Sequence, residues 1–151
     1  IGDISKINEE ANINITNVDY SKYKVLLVDD NMVNNKLTKR ILEEKKFNVE
    51  IVTSGEECIK KIKSEEEIDI IFMDIMMPVM DGVETLKVLK DLDGYVLPPI
   101  IALTANALPG MKENYLSEGF DDYLSKPLSK KELEKVLRMH LLKEKKTKIN
   151  N

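Results

Sequence analysis

Residues 68–82 read Ile-Asp-Ile-Ile-Phe-Met-Asp-Ile-Met-Met-Pro-Val-Met-Asp-Gly, and this stretch decides the fold. The apolar run 70–73 is rich in strand-forming residues and too short for a helix, so it predicts a strand that is buried on both faces. Asp74 follows directly and lies at the carboxyl end of that strand, where open α/β sheets place their chemistry. Pro78 and the pair Asp81-Gly82 predict a turn before the next helix.

Four further strands are predicted along the chain, and a helical pattern follows every strand. These strands are Lys24–Val28, Asn48–Val52, Ile100–Thr104 and Asp122–Ser125. Regular alternation of strand and helix is typical of a parallel sheet with helices on both faces. Because the crossovers between parallel strands are right-handed, few topologies remain for such a chain.

The helices are predicted from apolar spacing and from local start and stop signals. Val33, Leu37 and Ile41 recur every four residues and predict a first helix that ends near Lys45. Capping boxes at Ser54–Glu57 and Ser129–Glu132 predict the starts of the second and the last helix. Gly94 and Pro98-Pro99 predict the end of the third helix, and a fourth helix is predicted over 109–118, before Gly119. The last helix places Leu133, Val136, Leu137 and Leu141 on one face.

Composition is that of a globular protein with one domain and tails, since 42% of the 151 residues are hydrophobic and 33% are charged. The net charge of −4 is too small to favour nucleic acid or a membrane as the main partner. A single cysteine, Cys58, excludes an internal disulfide and a cysteine zinc site. With no signal peptide and no apolar run near the ~20 residues that span a bilayer, we expect a cytoplasmic domain, any membrane anchor lying in a parent chain.

We divide the chain into three parts. Residues 1–23 are rich in Asn, Ile and Ser without a sustained period and are interpreted as a linker or arm. Residues 24–142 form the domain, and residues 143–151 form a basic polar tail. Because the sequence starts at Ile1 rather than at Met, we expect it to belong to a longer or processed chain.

Polar residues suited to phosphate chemistry stand at the ends of four predicted strands. They are Asp29 with Asp30, Asp74, Thr104 and Lys126. The carboxyl ends of parallel strands lie at one edge of a sheet, so these groups are predicted to converge on one pocket. Separate, individually solvated surface acids are the simpler alternative, but Lys126 and Thr104 complete the set at the same edge.

Three clustered carboxylates indicate a bound cation. Two unit charges ~5 Å apart repel by roughly 3 kcal/mol at an effective dielectric near 20, which one lysine offsets only in part. A hard divalent cation such as Mg²⁺ suits carboxylates, a carbonyl and water. With the metal present, Asp74 can act as a nucleophile toward phosphorus, because carboxylates form aspartyl phosphates. Lys126 and Thr104 would then neutralise phosphoryl oxygens.

At this point the sequence resembles the receiver domain of two-component response regulators over about residues 24–142. The matching motifs are Val28-Asp29-Asp30-Asn31, Met73-Asp74-Ile75-Met76-Met77-Pro78, Met80-Asp81-Gly82, Thr104-Ala105 and Lys126-Pro127. The resemblance implies a flavodoxin-like (βα)5 fold, with a doubly wound five-stranded parallel sheet in the order 2-1-3-4-5.

The resemblance also implies a role for each site residue. Asp74 would be the phosphoacceptor, assisted by Thr104 and Lys126, and Lys126-Pro127 would be a cis peptide. Mg²⁺, or Mn²⁺ in its place, would be held by Asp30, Asp74 and the main-chain carbonyl of Met76, with Asp29 acting mostly through water. Thr104 and Tyr123 would form a switch that reshapes the surface of the fourth helix, fifth strand and fifth helix. The alternative for Tyr123 is an ordinary half-buried strand tyrosine.

Details of the motifs resemble receivers fused to hybrid sensor histidine kinases. The segments that carry this resemblance are residues 29–34, 104–107 and 119–128. The implied phosphodonor and partner is a histidine kinase or a histidine phosphotransfer protein, and the domain itself would be a phosphoacceptor with slow autodephosphorylation, monomeric or weakly dimeric. Contact with nucleic acid or a membrane is not expected.

Three other functions are weighed against this hypothesis. A stand-alone single-domain response regulator has the same site without a kinase attached. A Mg²⁺-dependent aspartyl phosphatase would need an acid two residues after its nucleophile, where this chain has Met76. A phosphate-blind binding module that kept only the fold would have no affinity for Mg²⁺.

Overall fold

The computed structural model of the protein describes residues 18–105 and 108–142. Its five strands form one parallel sheet in the order β2-β1-β3-β4-β5. The strands are β1 (Lys24–Val28), β2 (Asn48–Val52), β3 (Ile70–Asp74), β4 (Ile100–Thr104) and β5 (Asp122–Ser125). The predicted strands and the implied strand order are confirmed, with Asp74 itself closing β3.

A helix follows each strand, as expected. The helices are α1 (Met32–Glu44), α2 (Gly55–Lys63), α3 (Gly82–Lys90), α4 (Met111–Glu118) and α5 (Lys130–Leu137), and a π-helical turn (Arg138–Leu142) continues α5. Helix α4 begins two residues later than Pro109, because Gly110 precedes it with a φ of 86° in the left-handed region. Among the described residues, no helix is both long and apolar enough to cross a membrane.

The sheet separates two apolar layers. Val25 and Leu27 of β1 enter one layer, and their neighbours Leu26 and Val28 enter the other, as the alternation of side chains along a strand requires. Helices α1 and α5 cover the first layer, while α2, α3 and α4 cover the second. Because both faces of β3 and β4 are covered, all five residues of each of these strands are buried.

Helix α1 turns two of the three residues of its predicted apolar stripe outward. Val33 is 76% exposed and Leu37 is 53% exposed, whereas the helix buries Asn35 and Leu42. A spacing of four places residues on one stripe but does not say which stripe faces the sheet. The predicted helix is thus correct, but only Ile41 of its stripe packs against the core, and Val33 and Leu37 are left for contacts outside the domain.

The described end of the expected linker packs against the domain. Tyr20 is fully buried, its ring stacks on Phe47 with centroids 4.6 Å apart, and its hydroxyl donates to Oε2 of Glu134 at 2.8 Å. The Tyr23 side chain is also buried in this layer. Residues 18–23 are therefore anchored to the fold, whereas the rest of the predicted arm and the predicted tail lie outside the described residues.

Polar side chains cap the starts of α2, α3 and α5. Ser54 and Ser129 accept hydrogen bonds from the main-chain amides of Glu57 and Glu132, as predicted. The carboxylate of Glu57, however, bonds to Thr53. A complete reciprocal capping box lies instead at the start of α3, where Asp81 and Glu84 cap each other's amides. This cap was not predicted, and it fixes the end of the turn that follows Asp74.

Candidate active site

The predicted polar residues meet at the carboxyl edge of the sheet. Asp29 follows β1, Asp74 ends β3, Thr104 ends β4, and Lys126 follows β5. Carboxylate oxygens of Asp29, Asp30 and Asp74 lie within 4.8 Å of one another. Asp29 and Asp74 are buried, whereas Asp30 is exposed, so the cluster opens to solvent on one side.

Lys126 is the cation of this cluster. Its Nζ lies 2.9 Å from Oδ2 of Asp29 and 3.2 Å from Oδ1 of Asp74. The main-chain amide of Lys126 donates to the carbonyl of Thr104 at 2.8 Å, which ties the lysine to the end of β4. The Lys126-Pro127 peptide is cis, as the resemblance implied.

The surroundings of Asp74 make its carboxyl a weaker acid than usual. Burial, and next the neighbouring charge of Asp29, raise the pKa of its carboxyl to about 6, while Lys126 and the amide of Met76 act in the opposite direction. The Met76 amide donates to Oδ1 of Asp74 at 3.2 Å. The carboxyl is thus oriented by two donors on one oxygen, with Oδ2 left for other contacts.

The turn after Asp74 is tight. A Cβ on Gly82 would lie 2.5 Å from the carbonyl oxygen of Asp74, so only glycine permits this approach. Val79, in the same turn, has a φ of 68°, a left-handed conformation that strains a β-branched residue. Such strain is typical of turns that position a functional group.

The acidic loop after β1 is fixed by asparagines. Asn31 donates its main-chain amide to Oδ1 of Asp29 at 2.9 Å, and its side chain caps α1. The side-chain amide Nδ2 of the buried Asn35 donates to the main-chain carbonyl of Asp29 at 2.8 Å. Sequence reasoning missed Asn35, because a polar residue one turn into a helix is normally read as solvent-facing.

Thr104 is buried and hydrogen-bonded to helix α4. Its hydroxyl oxygen accepts from the hydroxyl of Tyr115 at 3.2 Å. The half-buried Tyr123 ring lies 6.1 Å from the Tyr115 ring, centroid to centroid, with the planes tilted by 37°. Tyr115 was not singled out from the sequence, since a single tyrosine in a weakly amphipathic helix carries no recognisable signal.

The donor set is suited to a hard cation. Three carboxylates face one ammonium, so the ionised cluster carries excess negative charge in a partly buried site, and oxygen ligands of this kind are those that Mg²⁺ prefers. Met76 lies in the adjoining turn, next to Asp74. The arrangement combines a carboxylate nucleophile with cationic and hydroxyl donors, which is the chemistry of phosphoryl transfer.

Comparison with known sequences agrees with this site. A model of the family described as "response regulator receiver domain" matches residues 25–138. The histidine-protein kinase BarA of Escherichia coli (strain K12) is 39% identical over 113 residues, which are 75% of this chain and 12% of the kinase. Hybrid signal transduction histidine kinase I of Dictyostelium discoideum is 34% identical over 80% of this chain and 7% of the kinase. The chain thus spans a small part of these relatives.

Solved structures show the same architecture. The receiver domain of a Pseudomonas aeruginosa sensor histidine kinase, solved with magnesium in its active site cleft, has a TM-score of 0.70 at 35% identity. The alignment covers 79% of this chain and 97% of the Pseudomonas chain. The Saccharomyces cerevisiae Ssk1 receiver domain, solved with the histidine phosphotransfer protein Ypd1, has a TM-score of 0.70 at 28% identity. It covers 81% of this chain, which covers 90% of the Ssk1 chain.

Proposed function

This chain belongs to the response regulator receiver domain family, and from that premise we propose that it takes a phosphoryl group from a phosphohistidine onto Asp74. One observation carries the proposal. The buried Asp74 carboxyl closes β3 with its Oδ1 3.2 Å from Nζ of Lys126, beside Asp29 and Asp30. A carboxylate at the edge of a sheet, already paired with a cation, is preorganised for attack on phosphorus.

The transfer follows from the two oxygens of Asp74. Oδ1 accepts from Lys126 and from the Met76 amide, so we assign Oδ2 as the nucleophile. Oδ2 forms a bond to phosphorus while the phosphorus–nitrogen bond of the donor breaks, and the imidazole nitrogen keeps the electron pair and takes a proton from water. Lys126 and Thr104 donate to the phosphoryl oxygens, and positioning with charge neutralisation carries most of the catalysis.

The acidic cluster fits the implied metal. Asp29, Asp30 and Asp74 bring carboxylate oxygens within 4.8 Å, and the main-chain carbonyl of Met76 would complete the protein ligands, with Asp29 acting mostly through water. When bound, Mg²⁺ or Mn²⁺ would supply the positive charge that neutralises the phosphoryl oxygens. The excess of carboxylates and the raised pKa of Asp74 both favour a bound divalent cation, which would stabilise the ionised carboxylates.

A phosphohistidine protein is the partner that fits the surface around the site. Met32, Val33 and Leu37 on α1 are exposed, and so are Met76 and Val79 in the turn after β3. A groove of about 270 Å³ continues this surface past Leu37, Lys126 and Pro127. We call the five exposed residues the rim patch. Clustered exposed apolar residues mark interaction sites, and these five residues lie in the two segments that follow Asp30 and Asp74 along the chain.

We further propose a switch and a parent chain. Once Asp74 carries the phosphoryl group, Thr104 moves toward the new oxygens, Tyr123 turns inward, and the α4–β5–α5 surface changes. The similarity to BarA and to the Dictyostelium kinase favours the receiver part of a hybrid histidine kinase over a stand-alone regulator.

Acetyl phosphate tests the proposal. With Mg²⁺, intact-mass spectrometry should detect one added phosphoryl group on the wild type and none on Asp74→Asn. Asp93→Asn, which replaces an exposed aspartate away from the site, should be phosphorylated like the wild type. An unchanged mass of the wild type, or an equal mass increase in Asp74→Asn, would refute the assignment of Asp74.

A further inference from the structure

Helix α4 is tied to the end of β4 through one side chain. Tyr115 projects from α4, and its hydroxyl donates to Oγ1 of Thr104 at 3.2 Å. Tyr115 is 6% exposed and Thr104 is 3% exposed, so neither hydroxyl can readily exchange its partner for water. Losing such a buried bond therefore has a measurable cost.

The ring of Tyr115 also contacts its aromatic neighbours. It meets Phe120 edge to face, with centroids 6.2 Å apart and planes at 89°, and it lies 6.1 Å from the Tyr123 ring. These distances are those of interacting aromatic pairs. Tyr115 thus contacts both residues that the proposed switch uses, Thr104 through its hydroxyl and Tyr123 through its ring.

Helix α4 is held weakly at its own start. It has eight residues, and Gly110 at its N-terminus makes no side-chain cap. Helices this short gain most of their stability from tertiary contacts. A buried hydrogen bond from α4 to Thr104 is therefore one of the tertiary contacts that hold the helix in its observed position.

We propose that Tyr115 is a positioning residue of the switch, holding Thr104 in the unphosphorylated arrangement and passing its movement on to α4. The inference rests on the proposed function, because it requires that Thr104 move toward a phosphoryl group on Asp74. A shift of Thr104 that lengthens the 3.2 Å bond by a few tenths of an ångström breaks it. Tyr115 then loses its partner, and α4 is released.

Tyr115→Phe isolates the hydrogen bond, because it keeps the ring and removes only the hydroxyl. The bond stabilises the unphosphorylated arrangement alone, so its loss shifts the equilibrium toward the phosphorylated one. The net strength of a buried hydrogen bond corresponds to about a two- to tenfold shift.

The experiment uses beryllofluoride with Mg²⁺ as a stable phosphoryl analogue. Its midpoint for converting the ¹H–¹⁵N spectrum should be about two- to tenfold lower in Tyr115→Phe than in the wild type. Tyr95→Phe, which alters a half-buried tyrosine in the 91–99 loop, is the matched control and should not change the midpoint. In a Thr104→Ala background, Tyr115→Phe should have no further effect, because the bond is already absent.

The outcomes separate the two levels of the proposal. The role of Tyr115 is refuted if the wild type responds but Tyr115→Phe has an equal or higher midpoint. It is also refuted if Tyr115→Phe still lowers the midpoint in the Thr104→Ala background. In both cases the phosphoacceptor function stands. If the wild type itself fails to respond, both fall. A readout without a variant is the Tyr115 ¹³Cζ signal, which should shift on adding the analogue; an unchanged signal would also refute the role.

Discussion

The ammonium nitrogen of Lys126 lies 3.2 Å from Oδ1 of Asp74 and is shared with Asp29, whose Oδ2 is 2.9 Å away. One cation thus serves two buried carboxylates. Because burial, and next the charge of Asp29, outweigh the effect of this single ammonium, the pKa of Asp74 stays raised at about 6. The predictions below test this relationship and its surroundings.

Replacing the shared cation should make Asp74 harder to ionise. In Lys126→Met, we expect the pKa of the Asp74 carboxyl to rise above about 6, because Lys126 acts to lower it. Phosphorylation by acetyl phosphate should slow at least about tenfold, since a donor to the phosphoryl oxygens is lost. Carboxyl ¹³C titration without metal and timed mass spectrometry check the two effects. Lys130→Met, at a lysine with a 71% exposed side chain, should change neither; a normal rate in Lys126→Met would contradict the assignment.

Asp74 should destabilise the metal-free protein as the pH rises. The fold raises the pKa of this carboxyl from 3.8 to about 6, so it favours the protonated form. The contribution of Asp74 to stability is therefore greatest below the unfolded value of 3.8 and is lost as the pH rises through about 6.

Denaturation in EDTA measures this loss. The amide in Asp74→Asn resembles the protonated carboxyl. The free energy of unfolding of this variant should therefore exceed that of the wild type by about 1 to 3 kcal/mol near pH 7.5. The difference should shrink toward zero near pH 4. Asp93→Asn should give no such pH-dependent difference, and a gain for Asp74→Asn that grows on acidification would show that the pKa is not raised.

The rim patch should matter for a protein donor and not for a small one. Leu37→Glu places a charge on the exposed apolar face of α1, so transfer from a phosphorylated histidine phosphotransfer protein should slow about tenfold or more. The rate with acetyl phosphate should not change, because Leu37 is outside the acidic cluster. Val96→Glu, at a valine 96% exposed in the 91–99 loop, is the control. Equal slowing with both donors would indicate damage to the site instead of to docking.

The substitution Val79→Gly should stabilise the turn after Asp74. Val79 is 93% exposed and has a φ of 68°, so the valine side chain is strained and contributes little packing. Glycine should relieve about 1 to 2 kcal/mol of backbone strain, and part of this gain is offset by the greater entropy of glycine in the unfolded chain. The free energy of unfolding should therefore rise by about 0.5 to 1 kcal/mol. Urea denaturation measures the change. Val96→Gly, without a positive φ, should instead lose stability; a loss of the same size in both would argue against strain.

The residues before β1 should contribute to stability. Tyr20 is fully buried and stacks on Phe47, so Tyr20→Ala should lower the free energy of unfolding by about 3 to 5 kcal/mol. Tyr20→Phe removes only the hydrogen bond to Glu134, and Glu134 keeps its ion pair with Lys45. The free energy of unfolding should therefore fall by about 1 kcal/mol. Thermal or urea unfolding distinguishes the two variants. If Tyr20→Ala were as stable as the wild type, residues 18–23 would be the passive linker that the sequence suggested.

Local patterns were sufficient for the elements and for the main site residues. Runs such as Ile100–Thr104 are too short and too apolar to be anything but buried strands, and parallel pairing brings their carboxyl ends to one edge. Asp29, Asp74 and Lys126 could therefore be grouped before any coordinates were known. Residues whose roles arise from contacts between distant elements could not be found in this way, and Tyr115 and Asn35 are the examples.

The amino-acid sequence by itself determined the alternation of strands and helices, the edge at which Asp29, Asp74, Thr104 and Lys126 gather, and the family to which they point. The elements and their shared edge depend on periodicity and chain direction, which are local properties, and the family is indicated by the resemblance of the motifs. Only the tertiary structure decided that α1 presents Val33 and Leu37 to solvent, that Tyr20 enters the core, and that the Tyr115 hydroxyl reaches Thr104. Which face a helix buries, and which partner a buried hydroxyl finds, depend on how separate elements pack against one another.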